Sequence, residues 1–144
     1  MNTDGTHRQL CTFGLAGRRL AIPTKWVAKV VLSRECVPVP RTPEAVTGLL
    51  DLRGQIVTAI DLHRRLGLGT PRSNADRSNV IVRYDGGLYS LQTDEIGEMI
   101  EIDTDSLQPV PTTLEPPLPE MLESIFEFEE EWLFILDLEA LLDL

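Results

Sequence analysis

The sequence predicts an all-β fold with short helices: ten short strands arranged as two small five-stranded β-barrels around one shared hydrophobic core. Three observations predict it. Apolar and polar residues alternate over short segments, the period of half-buried strands. Gly, Pro and Asp punctuate these segments at hairpin spacing. Only two short helices are read, and many short strands with few helices favour closed or nearly closed barrels, which leave no exposed edges.

Taken in order, Gln9-Leu-Cys-Thr-Phe-Gly-Leu15 alternates, and Gly17-Arg18 reads as a turn into Arg19-Leu-Ala-Ile-Pro23. Trp26 to Leu32 is rich in Val and favours extended backbone, although Val27, Val30 and Val31 also suit a helical turn at its start. Pro38, Pro40 and Pro43 mark a non-helical loop. Leu49–Leu52 and Gln55–Ile60 are strands around Gly54. Asp61 caps a short helix, Leu62-His-Arg-Arg-Leu66, that Gly67 closes.

Residues 69–78 are polar and turn-forming, and predict an exposed loop. Asn79–Tyr84 and Leu88–Thr93 flank Asp85-Gly86-Gly87, a hairpin signal. Ile96–Ile102 alternates again. The five prolines between Gln108 and Pro119 predict an extended connector. Ser124–Phe128 and Trp132–Leu136 enclose Glu129-Glu-Glu131, and a terminal helix from Asp137 sets Leu138, Leu141 and Leu142 on one face. The expected organisation is a flexible N-terminus (1–8) and a single domain (9–144) of two barrels. The loop at 69–78 divides its strands five and five, and no repeat unit shows in the residues themselves.

Composition excludes several functions. At 42 % hydrophobic and 25 % charged residues the chain is globular rather than disordered. No apolar run approaches the roughly 20 residues of a membrane helix, and Met1–His7 lacks signal-peptide character, so a cytoplasmic protein is expected. Residues 1–83 hold all 13 basic residues and 6 acids, whereas 84–144 hold 17 acids and no Lys or Arg. Overall acidity argues against non-specific nucleic-acid binding. The asymmetry either orients the molecule toward charged partners or solvates two faces.

Catalysis finds little support. Cys11 and Cys36 read as reduced thiols, and with only His7 and His63 no metal-ligand spacing exists. Asp94-Glu95 is a poor acid–base pair because neighbouring strand residues face opposite ways. His63, beside Arg64 and Arg65, reads as a solvated surface histidine. Phosphate loops and nucleophile triads are missing, so neither catalytic, cofactor nor metal residues are expected.

Several motifs stand together. Phe13-Gly-Leu15, Leu20-Ala-Ile-Pro23, Gly48-Leu-Leu-Asp-Leu-Arg-Gly-Gln-Ile56, Asp61-Leu with Leu66-Gly67, Thr93-Asp-Glu-Ile-Gly-Glu98 and Ile135-Leu-Asp-Leu138 occur in the order found in CheW-like domains. Over residues 9–143 the chain resembles that family. The resemblance implies two SH3-like barrels and a non-catalytic adaptor in bacterial chemotaxis-type signalling. Such an adaptor joins the cytoplasmic tip of a chemoreceptor to the regulatory domain of a CheA-type histidine kinase, without entering the membrane itself. The implied coupling surface comprises Val27, Lys29, Gly48, Leu52, Arg53, Gly54, Ile56, Asp94 and Glu95.

Gly48 and Gly54 bracket a segment that needs a tight bend or a close backbone approach. Arg53 offers planar donors for a carboxylate, either on a partner or on a neighbouring loop. Two residues depart from the family pattern. Lys29 stands where the family carries a glutamate able to pair with the arginine, and Asp51 replaces the usual asparagine. At roughly 4 Å in water Lys29 and Arg53 would repel by about 1 kcal/mol. Asp51, Glu44 and Glu95 are candidate substitute carboxylates. These departures point to altered partners, such as a specialised receptor or a pilus or gliding pathway, and leave open an insulating homologue that binds one usual partner. The acidic hairpin Glu127–Trp132 is either a solvated tip or a contact anchored by Trp132.

Overall fold

The computed structural model describes residues 7–32, 36–69 and 78–144. Most of the expected flexible N-terminus and of the loop at 69–78 lies outside these residues. Ten strands are present: β1 His7–Leu15, β2 Arg18–Pro23, β3 Val27–Leu32, β4 Val46–Leu52, β5 Gln55–Asp61, β6 Ser78–Tyr84, β7 Gly87–Thr93, β8 Glu95–Asp103, β9 Leu122–Phe128 and β10 Glu131–Leu136. Two helices, α1 Leu62–Leu66 and α2 Leu138–Leu141, follow β5 and β10. A 3-10 turn at Thr24–Trp26 precedes β3, and Val27, Val30 and Val31, whose spacing also suits a helical turn, lie in the strand itself.

Both helices form for the predicted reason. The Asp61 carboxylate accepts from the Arg64 amide and that of Asp137 from Glu139 and Ala140, which satisfies first-turn donors. Four hairpins close with two-residue turns: Ala16-Gly17, Arg53-Gly54, Asp85-Gly86 and Glu129-Glu130. All eight residues have positive φ, the type I′ geometry whose twist matches that of the strands. The first turn is thus Ala16-Gly17 and not Gly17-Arg18.

The strands form two five-stranded sheets: sheet A in the order β8-β1-β2-β10-β9 and sheet B in the order β3-β6-β7-β5-β4. This corrects the expected division at residues 69–78. The strands on both sides of that loop, β5 and β6, belong to sheet B, and β1 and β2 cross over to join the last three strands. Counting strands does not reveal this, because hairpins fix only local partners. The crossings are the parallel pairs β2–β10 and β5–β7.

The two sheets repeat one design. Each contains an outer strand, β8 or β3, a hairpin beside it, β1–β2 or β6–β7, and a second hairpin, β9–β10 or β4–β5, joined to the first by a parallel pair. The β4–β5 and β9–β10 ladders share one register under a constant shift: Val46↔Ile60 matches Leu122↔Leu136, and Asp51↔Ile56 matches Glu127↔Trp132. Even the single bridges onto β4 and β9 correspond, Val37↔Leu49 and Gln108↔Ile125. A structural duplication therefore exists where the residues show no repeat.

Three apolar clusters follow from this layout. Leu10, Ala21, Ile100, Ile102, Phe126, Leu133 and Ile135 fill sheet A, whereas Leu50, Leu52, Val57, Ala59 and Ile81 fill sheet B. Phe13, Leu20 and Phe134 meet Ile60, Val80 and Leu91 in a third cluster between the sheets, the shared core predicted. Strand β10 sends Leu133 and Ile135 into sheet A and Phe134 and Leu136 into the shared core. Burial on both faces explains why it reads as an unbroken apolar run. The proline-rich segment is not extended throughout, because it folds through turns into a 3-10 helix at Leu118–Met121.

Candidate partner-binding surface

Seven of the nine nominated residues belong to sheet B, and the structure sorts them by role. Gly48 lies inside β4, against the passing Val37–Pro38 backbone. A Cβ there would overlap the Val37 carbonyl oxygen, so the close approach predicted for this glycine is present. Leu52 is only 5 % exposed and packs inside sheet B, which corrects its nomination as a contact residue. Its alternation with Asp51 and Arg53 turns it inward. Val27 is half-buried against the shared core.

Arg53 and Gly54 form the β4–β5 turn, with φ of 53° and 88°. The Gly54 amide donates to Asp51 Oδ1 at 2.9 Å, which fixes the turn. Arg53 therefore stands exposed at the tip in a left-handed conformation that non-glycine residues seldom adopt. Ile56, paired across the ladder with Asp51, is 62 % exposed. Val37, bridged to neighbouring Leu49, is exposed as well. A charged tip beside an apolar strip is the make-up of a contact surface.

None of the three candidate carboxylates pairs with Arg53. Asp51 serves Gly54, and Glu44 pairs with Arg64 at 3.0 Å. The Glu95 side chain lies over Gly14, where a Cβ would come within 2.8 Å of it. Among the described residues neither Lys29 nor Arg53 has an ion-pair partner, and both are exposed.

Asp94 and Glu95 lie apart from this hairpin, at the junction of β7 and β8. Asp94 Oδ2 accepts from the Ala16 amide at 2.8 Å and lies 3.2 Å from His63 Nε2. It thereby ties the β1–β2 turn of sheet A to α1 beside sheet B. His63, expected at the surface, is 1 % exposed, a correction with a clear cause. Helix α1 has one turn, and His63 follows Leu62 onto its buried side while Arg64 takes the solvent side.

Arg65 escaped sequence reasoning. It donates from Nε to the Leu141 carbonyl at 2.8 Å and from Nη2 to those of Ala140 and Asp143 at 2.9 and 2.8 Å. These carbonyls lie at and just beyond the end of α2, so one guanidinium pins the C-terminal helix to α1. Ile96 and Met99 were also missed as exposed apolar groups of sheet A, where Trp132, the anchor considered for the acidic hairpin, is exposed as well. The signal that finds them is structural: Met99 corresponds to Val30, and Trp132 to Ile56, in the duplication.

Burial pushes the Cys11 thiol above its ordinary range, in keeping with an inert packing group. Among the described residues no three His, Cys, Asp or Glu side chains are placed to hold a metal. No helix there is long and apolar enough to cross a membrane.

Comparison with known proteins agrees with this geometry. The family model described as the CheW-like domain matches residues 9–144. "Chemotaxis protein CheW" of Helicobacter pylori is 30 % identical over 106 residues, covering 74 % of this chain and 64 % of that protein. "Chemotaxis protein CheW" of Bacillus subtilis is 24 % identical over 138 residues, covering 96 % and 88 %. The crystal structure of the scaffolding protein TtCheW from Thermoanaerobacter tengcongensis superposes with a TM-score of 0.87 at 27 % identity, covering 100 % of this chain and 94 % of that one. With the fold and nearly its whole length matched, the chain belongs to the CheW-like family of chemotaxis scaffolds.

Proposed function

We propose that this chain is a non-catalytic cytoplasmic adaptor that couples chemoreceptor tips to the regulatory domain of a CheA-type histidine kinase. The observation that carries the reading is the β4–β5 hairpin. Its tip arginine has no ion-pair partner among the described residues, and Ile56 beside it is largely exposed. An exposed apolar side chain next to a planar cation is the pairing found at the centre of protein contacts. Gly48, Asp51 and Gly54 serve this site by holding the hairpin's shape.

Reconstitution of kinase and receptor with and without the chain tests the reading. An adaptor raises receptor-dependent kinase activity, and Arg53→Glu or Ile56→Asp lowers that gain at least about tenfold. Activity that stays flat or falls when the wild-type chain is added refutes coupling and leaves an insulating role. The relatives named as chemotaxis proteins favour the adaptor.

A further inference from the structure

The duplication extends to the helices, where the two halves differ at one place. In the β1–β2 and β6–β7 hairpins, Leu15↔Arg18 matches Tyr84↔Gly87, and the parallel pairing Ile135↔Ala21 matches Ala59↔Ser90. Under the same shifts Lys25 after β2 corresponds to Asp94 after β7, and Glu139 of α2 to His63 of α1. The α1 half is closed at this position. His63, 1 % exposed, lies 3.2 Å from Asp94, which also holds the Ala16 amide. The α2 half is open. Lys25 and Glu139 are exposed, form no ion pair among the described residues, and border a cleft of about 350 Å³. That volume lies in the range of small-molecule sites. The cleft wall is aromatic: Trp26 and Tyr84, both half-buried, meet edge to face with centroids 5.8 Å apart. Lys25 Nζ lies 5.3 Å from the Trp26 ring centroid, whereas Arg8 is already neutralised by Glu123 at 2.6 Å. Asp137 uses only Oδ1 for the cap of α2. Burial, and after it the carboxylates of Glu139, Asp85, Asp137 and Asp143, hold the Tyr84 phenol above its ordinary range, so the field at that ring is negative.

We infer that this cleft binds a small zwitterion with an apolar side chain, of the class of the free α-amino acids. The ligand's ammonium meets Glu139 and the open oxygen of Asp137, and its carboxylate meets Lys25. Its side chain lies on Trp26 and Tyr84. An organic cation alone would leave Lys25 unanswered, and an anion alone would face two carboxylates. A molecule that carries both charges answers both. It makes through a ligand the link that His63 and Asp94 make within the chain in the other half. None of the residues lining the cleft belongs to β4 or β5, so the inference stands or falls separately from coupling through Arg53 and Ile56.

NMR titration of the full chain at neutral pH tests this, read at the Trp26 indole N–H and the Tyr84 ring. The probes are L-phenylalanine, phenethylamine, which lacks the carboxylate, and phenylpropionate, which lacks the ammonium. Phenylalanine is expected to bind with a Kd of roughly 1 mM or tighter. Each analogue should bind at least about fivefold more weakly, because one charged contact is lost. Lys25→Met should weaken phenylalanine by about fivefold or more and leave phenethylamine no weaker than before. Glu139→Gln should do the reverse, weakening phenylalanine and sparing phenylpropionate. Both side chains are exposed, and thermal unfolding confirms that each variant is folded. The inference is overturned if phenylalanine at roughly 20 mM moves neither Trp26 nor Tyr84. Phenethylamine binding as tightly as phenylalanine makes the cleft a cation site instead, and phenylpropionate doing so makes it an anion site. Variants that leave all three affinities unchanged overturn it equally.

Discussion

Replacing Arg65 by Met removes three hydrogen bonds while keeping most of the apolar stem. The guanidinium donates to the carbonyls of Ala140, Leu141 and Asp143, all within 2.9 Å. A hydrogen bond with one charged partner is worth about 1.5–3 kcal/mol, but three from one group do not add fully. Asp143 is exposed, and its carbonyl regains water when released; that of buried Leu141 regains less. The positive charge at a helix C-terminus adds about 0.3–1 kcal/mol. The expected loss is therefore about 2–4 kcal/mol. For a domain of this size each kcal/mol lowers Tm by roughly 3 °C, so scanning calorimetry should find a fall of about 6–12 °C. Arg64→Met is the control. That arginine pairs with the exposed Glu44, and its loss should cost about 0–1 kcal/mol. Equal Tm values for the two variants, or an Arg65→Met shift below about 2 °C, would refute the assignment of Arg65 as the clamp on α2.

Three further outcomes are expected. Glu130→Gly should raise the urea midpoint by an equivalent of about 0.5–1 kcal/mol, because Glu130 sits at φ 67° where the other three type I′ turns carry glycine. Gly48→Ala should cost about 2–3 kcal/mol in the same measurement, since a Cβ overlaps the Val37 carbonyl and prises apart the bridge to Leu49. In thiol labelling near pH 8, Cys36 should react in the native protein and Cys11 only on unfolding. Burial shields the Cys11 sulfur and, by raising its pKa, keeps the reactive thiolate scarce.

Local chemistry made much of the fold legible. Asp61 and Asp137 announced their helices, and Asp85-Gly86 announced its hairpin, because caps and turns are read from neighbouring residues. The partition of strands between sheets was not legible, since it rests on the parallel contacts of β2 with β10 and β5 with β7 between distant segments. His63 and Arg65 illustrate the same limit at the site. In a one-turn helix a single step along the chain decides between core and solvent, and only the docked position of α1 settles it. Glu129-Glu130 concealed a type I′ turn behind residues that seldom adopt positive φ.

The departures at Lys29 and Asp51 acquire different meanings once the hairpin is in view. Asp51 uses one carboxylate oxygen to accept from the Gly54 amide, a bond that an asparagine carbonyl forms equally well. That substitution keeps the turn, and with it the left-handed backbone that projects Arg53. Lys29 holds no such turn together. It is exposed on the outer strand, and among the described residues it forms no ion pair. The hairpin's shape is thus held by the Asp51 side chain, ladder bonds and glycines that do not depend on the charge at position 29. A lysine there changes what the surface attracts without changing how Arg53 and Ile56 are presented. Shape and charge are separable at this surface, which is how one duplicated scaffold carries a basic end on sheet B and an acidic end on sheet A.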